Sequence, residues 1–323
     1  MFPLKTVSIV VASLLMASPA LAWAPAKDDR AAPAGGSSAQ AVNFAKTVAQ
    51  DKAASFLALG KDAPAWMKRI ELQGNFPIDG DPSGSILTVQ PLYQDENRQD
   101  TVFTQLSYLR YSLFDEARNT VNAGLGYRRL LNDNSIMLGG NVFFDHEFDN
   151  SHHRVGLGVE AKWGPLDFWF NDYIAVSGWK SMGGGVEERA LSGRDFRLAG
   201  QVPYLPWATM NAMYFRWDKE RASYGTDGYE VSGEFALTPN VTFEAGHRDD
   251  TRNDGTNFIM VRLQLAGDRP ALFGSDHPIV APKAFLSRDL KDQTLVKVRR
   301  ENRIMLERST PTGSGITVTI SRG

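Results

Sequence analysis

A run of acidic and imidazole side chains near the middle of the chain is the densest group of residues that could do chemistry. It places two carboxylates and three imidazoles within nine residues, namely Asp145, His146, Glu147, His152 and His153. Such groups are ligands for divalent ions. The run also spans a stretch typical of a hairpin turn, with the letters EFDNS. We therefore expect a polar turn with charges at the rim of a sheet, and no metal.

Three acidic residues further along, Glu187, Glu188 and Asp195, could form the carboxylate pair of a glycosidase. They adjoin the glycine-rich residues 183–185, and we expect them to solvate that loop. We likewise expect Trp179 to lie at an interface, with one side apolar and one side wet, rather than in a sugar site.

Phosphate and acyl chemistry find no support in the motifs. The glycine pairs at 124/126 and 156/158 lack both the Lys-Ser or Lys-Thr sequence and the strand-then-helix context of a phosphate loop. The sequence contains no Gly-x-Ser-x-Gly, the motif of a nucleophile elbow. It has no cysteine, which excludes disulfides, thiolate metal sites and a thiol nucleophile. We expect a protein that is not an enzyme and needs no cofactor.

Composition narrows the class of protein further. The 323 residues carry a formal net charge of −2, and without a basic excess the chain is not expected to bind nucleic acid. After the N-terminal region no stretch approaches the ~18 consecutive apolar residues of a membrane helix. A membrane β-barrel remains open, because only alternate residues of its strands face lipid.

The N-terminal region is typical of an exported protein. Residues 1–24 combine Lys5, an apolar stretch of about a dozen residues and an Ala-Leu-Ala site, which predicts a signal peptide. Residues 25–65 follow as a periplasmic linker and helix. The helix begins near Ser37, repeats apolar residues every three or four positions and ends near Gly60. We expect it to pack on a surface rather than to lie in a membrane.

Between residues 66 and 265 the apolar period changes from helical to two, which predicts β-strands. Twelve strands of 8–11 residues are expected: 69–76, 86–93, 102–111, 120–130, 136–145, 154–163, 166–175, 195–204, 209–217, 229–237, 241–248 and 257–265. Their length suits tilted strands that cross a bilayer, and their even number suits a closed barrel.

The clearest strand, Arg154–Trp163, alternates strictly between apolar residues and polar residues or glycine. A charge on the lipid face at mid-membrane costs roughly 2–4 kcal/mol. We therefore expect the apolar set to face lipid and the glycine-rich set to line a lumen smooth enough to admit another segment. Aromatic residues near strand ends would form an interfacial girdle: Tyr93, Tyr111, Tyr127, Phe144, Trp163, Tyr204, Trp217 and Tyr229. A soluble sandwich, with its apolar face inward, is the alternative.

Charged residues of the strands fall on the expected lumen face: Arg154, Glu160, Lys162, Arg197, Glu234 and Arg262. We expect them to bond to one another or to an inserted segment. Residues 266–323 follow as a post-barrel linker and short β tail. Within it we expect a loop to residue 282, a short helical piece at 283–293, two short strands at 295–306 and a last strand at 315–321.

Several stretches resemble the β-domain of the inverse autotransporters, the intimin and invasin family. They include AASFLALGKDAPAWMKRIELQGNF, QPLYQDENRQDTVFTQLSYLR, EERALSGRDFRLAGQVPYLP, VRRENRIMLER and, most densely, residues 124–180. The resemblance implies an all-β fold, a 12-stranded antiparallel transmembrane β-barrel. It also implies that the post-barrel linker, with Arg299, Arg300 and Arg303, threads the lumen and carries an adhesin-like passenger.

The resemblance makes an outer-membrane translocator and anchor the leading functional prediction. About 15 residues follow Arg308, so we expect the passenger to be absent or separately encoded. Expected partners are outer-membrane lipid, periplasmic chaperones and the barrel-assembly machinery. A solute-conducting pore and, less favoured, a soluble secreted binding protein are the alternatives.

Overall fold

The structure is a computed structural model that describes residues 63–78, 80–222, 225–252, 255–267, 269–312 and 315–320. The predicted signal peptide and the helix expected at 37–60 lie outside these residues. Within them, no helix is both long and apolar enough to cross a membrane. A four-residue helix, α1 (Ala65–Lys68), precedes the first strand.

Sixteen strands occur in the described part of the chain. They are β1 (Ile70–Pro77), β2 (Ser83–Gln94), β3 (Asp100–Leu113), β4 (Glu116–Leu131), β5 (Ile136–Glu147), β6 (His152–Trp163), β7 (Leu166–Ala175), β8 (Lys180–Gly183), β9 (Val186–Ala190), β10 (Gly193–Val202), β11 (Leu205–Trp217), β12 (Thr226–Thr238), β13 (Val241–Asp250), β14 (Thr256–Gln264), β15 (Leu306–Thr312) and β16 (Gly315–Ile320).

Twelve of the described strands close into a barrel, which confirms the predicted fold. Each pairs antiparallel with its neighbour in sequence, and β10 follows β7 around the wall. Closure joins β1 to β14, with Gln73 opposite Arg262. The closed ladder pairs the backbone groups of every barrel strand, as hydrocarbon requires. The four remaining described strands form a small sheet in the order β16-β15-β9-β8.

The two ends of the barrel differ in the length of their connections. At the end where β1 begins, which we call the short-turn end, no connection between strands exceeds five residues. At the other end, the long-loop end, residues 176–192 join β7 to β10 and residues 218–225 join β11 to β12. The small sheet lies at the long-loop end, because β8 and β9 belong to the first of these connections.

The side chains of β6 show which way the wall faces. Leu157, Val159 and Trp163 point outward and are 48%, 58% and 64% exposed. Arg154 and Lys162 point inward and are buried, at 0% and 3% exposure. The apolar set therefore covers the outside of a closed wall instead of lying between two layers, and the soluble-sandwich alternative is wrong.

The predicted aromatic girdle is correct for six residues and wrong for two. The six that lie on the outer face, 43–64% exposed, are Tyr93, Tyr127, Phe144, Trp163, Tyr204 and Tyr229. Tyr111 and Trp217 are instead buried, at 4% and 1% exposure. They occupy lumen-facing positions in the alternation, and Trp217 packs on Tyr173 with ring centroids 5.3 Å apart.

The post-barrel chain departs from its predicted secondary structure. A single 3-10 turn, Leu290–Gln293, occupies the region expected to form a helical piece. The two strands expected at 295–306 are wrong, since residues 295–305 belong to no sheet and β15 begins only at Leu306. Alternation marks extended backbone, but a strand also needs a free edge to pair with, and a closed barrel offers none.

Candidate functional site in the barrel lumen

Residues 294–305, which we call the lumen segment, cross the barrel from one end to the other. Just before the segment, the Leu290 amide donates to the carbonyl of Asn134 in a connection at the short-turn end, at 3.0 Å. At its far end, the Leu191 amide donates to the carbonyl of Met305 at the long-loop end, at 2.8 Å. The prediction that the post-barrel chain threads the lumen is confirmed.

Side chains of the wall take the place of a partner strand for the backbone of the lumen segment. Arg128 donates to the carbonyls of Thr294 and Val296 at 2.8 and 2.7 Å. Arg154 donates to the carbonyl of Glu301 at 2.7 Å. The hydroxyl of Tyr173 accepts from the Glu301 amide at 2.7 Å. These bonds satisfy polar backbone groups that burial would otherwise leave unpaired.

Asp145 of β5 is the anionic centre of the lumen. Its two carboxylate oxygens accept from Arg300 of the lumen segment at 2.8 and 2.7 Å. Arg154 on β6 and Asn122 on β4 donate to the same carboxylate at 2.9 and 2.8 Å. The Arg300 guanidinium also stacks on Phe143, 4.3 Å from the ring centroid. A planar, bidentate and fully buried pair of this kind fixes both the position and the register of the segment.

Two of the predicted lumen residues bind close to the short-turn end. Glu160 accepts from Arg128 at 2.7 Å and from the Trp169 indole at 3.1 Å. Lys162 donates to Asp167 at 3.1 Å and to Gln293, just before the lumen segment, at 2.9 Å. Glu160 thus orients the arginine that holds the segment, and Lys162 contacts the incoming chain directly.

A second charged group joins β12, β13 and β14 to the lumen segment. Arg262 lies 2.7 Å from a carboxylate oxygen of Glu234 and 2.8 Å from one of Glu244. Arg299 of the segment donates to Glu234 at 2.5 Å and to Asn211 at 2.9 Å. Glu234 is therefore shared between the wall and the segment.

The remaining predicted residues pair within their own element. Arg197 donates to Asp195 of the same strand at 3.0 Å. Arg303 donates to Glu301 of the lumen segment at 3.3 Å. The nine charged residues predicted from the sequence thus all lie in the lumen, and four of them bond across between wall and lumen segment: Arg154, Glu234, Arg299 and Arg300.

The inward-facing glycines have two different roles. A Cβ on Gly156 would lie 2.8 Å from Nη2 of Arg300, so this glycine makes room for the lumen segment. A Cβ on Gly124 would lie 2.3 Å from Phe143, and one on Gly126 would lie 2.2 Å from Phe103. These two make room for aromatic rings of neighbouring strands, on which Arg300 and Arg128 stack.

The run of carboxylates and imidazoles does not form one group. Alternation sends Asp145 into the lumen, whereas His146 and His153 stack on each other on the outer face with ring centroids 4.6 Å apart. Glu147 and His152 are buried inside the wall at the long-loop end. Within the described ranges no three potential ligands are grouped for a metal ion. The expectation of a polar turn is wrong for Asp145, which lies in the centre of the barrel.

The acidic residues 187, 188 and 195 do not share a loop surface. Asp195 accepts from Tyr173 and Asn171 in the lumen, both at 2.7 Å. Glu188 is fully buried and pairs with Arg118 at 2.9 Å. Of the three, only Glu187 remains at the surface, beside Arg221. Trp179 stacks against the same Arg221, whose guanidinium carbon lies 3.9 Å from the ring centroid.

Sequence reasoning missed the residues that hold the segment most firmly. Arg128 and Asp145 occupy alternate positions of their strands whose side chains face the lumen, and Asp145 is directly opposite Arg154 in the ladder. Lys297 binds Glu71 on the first strand, a pair separated by 226 residues. The alternation of side chains along each strand could have identified the wall residues. No local pattern, however, identifies which wall residue contacts which part of the lumen segment.

The lumen segment leaves part of the lumen open. A cavity of about 220 Å³ lies between the segment and the wall, lined from β1 to β3, β7 and β10 to β14. Arg248 and Glu230, 3.4 Å apart, are among the charged residues that line it. The segment therefore leans toward β4, β5 and β6, whose residues do not line the cavity.

Comparison with known proteins agrees with the closed barrel. Residues 26–302 match the family described as inverse autotransporter, beta-domain. An attaching and effacing protein homolog of Escherichia coli K12 is 30% identical over 56% of this chain and 60% of its own length. Intimin of E. coli O127:H6 is 27% identical over 75% of this chain but only 26% of intimin.

A solved structure supports the fold independently. A chain from a study of the in-meso crystallization of membrane proteins shares a TM-score of 0.59 and 24% identity, and it covers 74% of this chain and 98% of its own. The fold and the lumen define an outer-membrane β-barrel with a threaded segment. The chain belongs to the inverse autotransporter β-domain family. The lumen segment runs from the short-turn end to the long-loop end.

Proposed function

We propose that this barrel anchors and translocates a passenger of the adhesin type, which it displays at the cell surface by means of the lumen segment. The barrel supplies a sealed wall and a polar path, and no step of the proposal is enzymatic. The passenger is the polypeptide that is joined to, or associates with, β15 and β16. Delivery to outer-membrane lipid would use periplasmic chaperones and the barrel-assembly machinery.

One observation carries this proposal, namely a post-barrel chain that traverses the whole lumen and leaves at the long-loop end. A chain that only plugged a pore would need no exit, yet here β15 extends beyond the barrel, pairs with β9 and is joined by β16 on its other edge. In outer-membrane barrels the long loops face outward, so an exit at this end leads to the cell surface. Relatives named intimin, invasin and inverse autotransporter adhesin support the adhesin class of the passenger.

The proposal is tested by the location of a tag in intact cells. An epitope placed after Gly323 should bind antibody without permeabilisation of the outer membrane. The same epitope placed before Ala63, at the short-turn end, should bind antibody only after permeabilisation. Detection of both tags only after permeabilisation would contradict display.

The cavity beside the lumen segment favours a second candidate function, a solute-conducting pore. Planar-bilayer conductance separates the two functions. If the barrel is a translocator, the intact chain conducts poorly and deletion of residues 283–323 raises conductance severalfold. An intact chain that already conducts like an open barrel would instead support the pore.

A further inference from the structure

The chain that leaves the lumen is seated in a surface built from three separate parts of the long-loop end. The first part is the edge of β9. It pairs antiparallel with β15, so that Leu306 lies opposite Ala190 and Ser309 lies opposite Glu187. Backbone pairing of this kind holds any extended chain, and it sets no register by itself.

The second part binds the carboxylate of Glu307. Three successive backbone amides, those of Glu220, Arg221 and Ala222, donate to its two oxygens at 2.9, 2.9 and 2.5 Å. The Glu307 side chain is fully buried. Consecutive amides that converge on one anion form a nest, which selects a negative charge.

The third part binds the guanidinium of Arg308. Its Nε donates to Glu188, the residue opposite in the ladder, at 2.6 Å, and a terminal nitrogen donates to Glu116 at 3.1 Å. The guanidinium also stacks on Phe114, 4.3 Å from the ring centroid. Glu188 also accepts a hydrogen bond from Arg118 at 2.9 Å. The carboxylate that binds Arg308 is therefore buried and held in a defined orientation.

These parts match an acidic residue followed directly by a basic one. A shift of one residue would turn Glu307 toward Glu188, which already carries a buried negative charge. The same shift would turn Arg308 away from the carboxylates that bind it. Like charges placed opposite each other in a ladder are destabilising, and a one-residue slip exchanges the two faces of a strand. The surface therefore distinguishes one register from its neighbours.

We propose that β9, the amides of residues 220–222 and the Arg118–Glu188 pair form a docking site for an extended strand bearing an acidic–basic dipeptide. Its occupant is residues 306–309 of this chain, and its effect is to hold the exported chain in one register against return into the lumen. This inference deepens the proposed function and rests on it for the direction of exit.

The site can be tested with the full chain, because the sequence lacks cysteine and any introduced thiol is unique. Ser309 is 3% exposed, so Ser309→Cys should react slowly with a maleimide. Adding Glu307→Ala leaves the three amides, of which that of Ala222 is buried, without the carboxylate that binds them, and labelling should then accelerate by about tenfold or more. The matched control, Glu96→Ala, removes an exposed carboxylate from a turn at the short-turn end and should change the rate less than about twofold.

A second variant tests whether the order of the two charges is read. Exchanging the residues as E307R/R308E keeps the composition and reverses the dipeptide, and it should label as fast as Glu307→Ala. Heat-dependent electrophoretic mobility checks that the barrel remains folded in each variant. Rapid labelling of Ser309→Cys alone, or slow labelling in either Glu307 variant, would overturn the docking site.

The outcomes also separate this inference from the proposed function. Rapid maleimide labelling of Ser309→Cys without a second substitution, with the C-terminal epitope still displayed, would refute the docking site and leave the proposed function intact. An epitope detected only after permeabilisation, with Ser309→Cys still protected, would contradict display and leave the docking site intact.

Discussion

The lumen segment meets two sides of the barrel wall that hold it in different ways. On the side formed by β4, β5 and β6, short contacts reach its backbone, with Arg128, Asn122 and Arg154 donating to its carbonyls at 2.7–3.0 Å. On the opposite side a cavity of about 220 Å³ intervenes, and long side chains such as Arg299 bridge to the wall.

The difference shows which side determines the position of the segment. Close packing against glycine and buried, hydrogen-bonded charge leaves little room for adjustment. A cavity lets water or a different rotamer replace a lost contact. Equivalent substitutions should therefore cost more on the β4–β6 side than on the cavity side.

The largest effect is expected for Asp145→Asn. The change leaves Arg154 and Arg300 without their shared buried carboxylate, and breaking a buried pair costs about 3–5 kcal/mol. The free energy of unfolding in urea, followed by tryptophan fluorescence, measures the loss. Asp133→Asn, in an exposed turn, is the matched control and should be neutral. Equal values for the two variants would refute the dominance of the β4–β6 side.

A smaller effect is expected for Gly156→Ala. Its Cβ would lie 2.8 Å from Nη2 of Arg300, and Asp145 prevents that guanidinium from moving away. Overpacking of this kind costs about 1–3 kcal/mol. Gly140→Ala serves as the control, since its Cβ would meet nothing closer than 3.9 Å. If the Gly156→Ala barrel were as stable as the Gly140→Ala barrel, the lumen segment could move to accommodate the added Cβ, and the tight packing on the β4–β6 side would be contradicted.

On the cavity side, Glu234→Gln should cost only about 1 kcal/mol. Arg262 keeps Glu244 at 2.8 Å and Arg299 keeps Asn211 at 2.9 Å, while the cavity admits water. The same urea titration measures this loss. A cost equal to that of Asp145→Asn would erase the distinction between the two sides.

The smallest effect expected is a local loss of stability when acid weakens the docking of β15 on β9. Glu188 lies in β9, outside the barrel strands. Burial alone would raise its pKa, but the nearby His152 imidazole together with the charge and hydrogen bonds of Arg118 and Arg308 lowers that pKa from 4.5 to about 2. The ionised carboxylate thus stabilises the docked strand fully above about pH 5, and this stabilisation is lost as pH falls toward 2.

The rate at which pepsin cleaves the hairpin formed by β15 and β16 measures this response between pH 5 and 2. Cleavage should increase as Glu188 is protonated. Glu188→Gln has no charge to lose, so it should be cleaved readily throughout and its rate should follow only the activity of the protease. Parallel profiles for the two proteins would rule out Glu188 as the titrating group.

Much of the wall could be predicted from local pattern. The parity of β6 placed Arg154, Glu160 and Lys162 inside and Val159 outside, because a strand turns each successive side chain to the opposite face. The same rule places Asp145 inside, but its position at the start of a run of carboxylates and imidazoles suggested turn chemistry instead. Tyr111 and Trp217 were misplaced because their position at strand ends was weighed more heavily than their parity.

The sequence by itself determined the number of barrel strands, the face that meets lipid and the charge of the lumen, since each depends on residues adjacent in the chain. Only the tertiary structure decided that residues 295–305 run through a closed barrel without joining its sheet and that Arg300 meets Asp145, 155 residues away. It alone decided that Glu307 and Arg308 fit the long-loop end. Those contacts exist because closure of the barrel removes every free strand edge and brings together side chains that are far apart in the chain. A local pattern of apolar residues predicts neither closure nor contacts between distant residues.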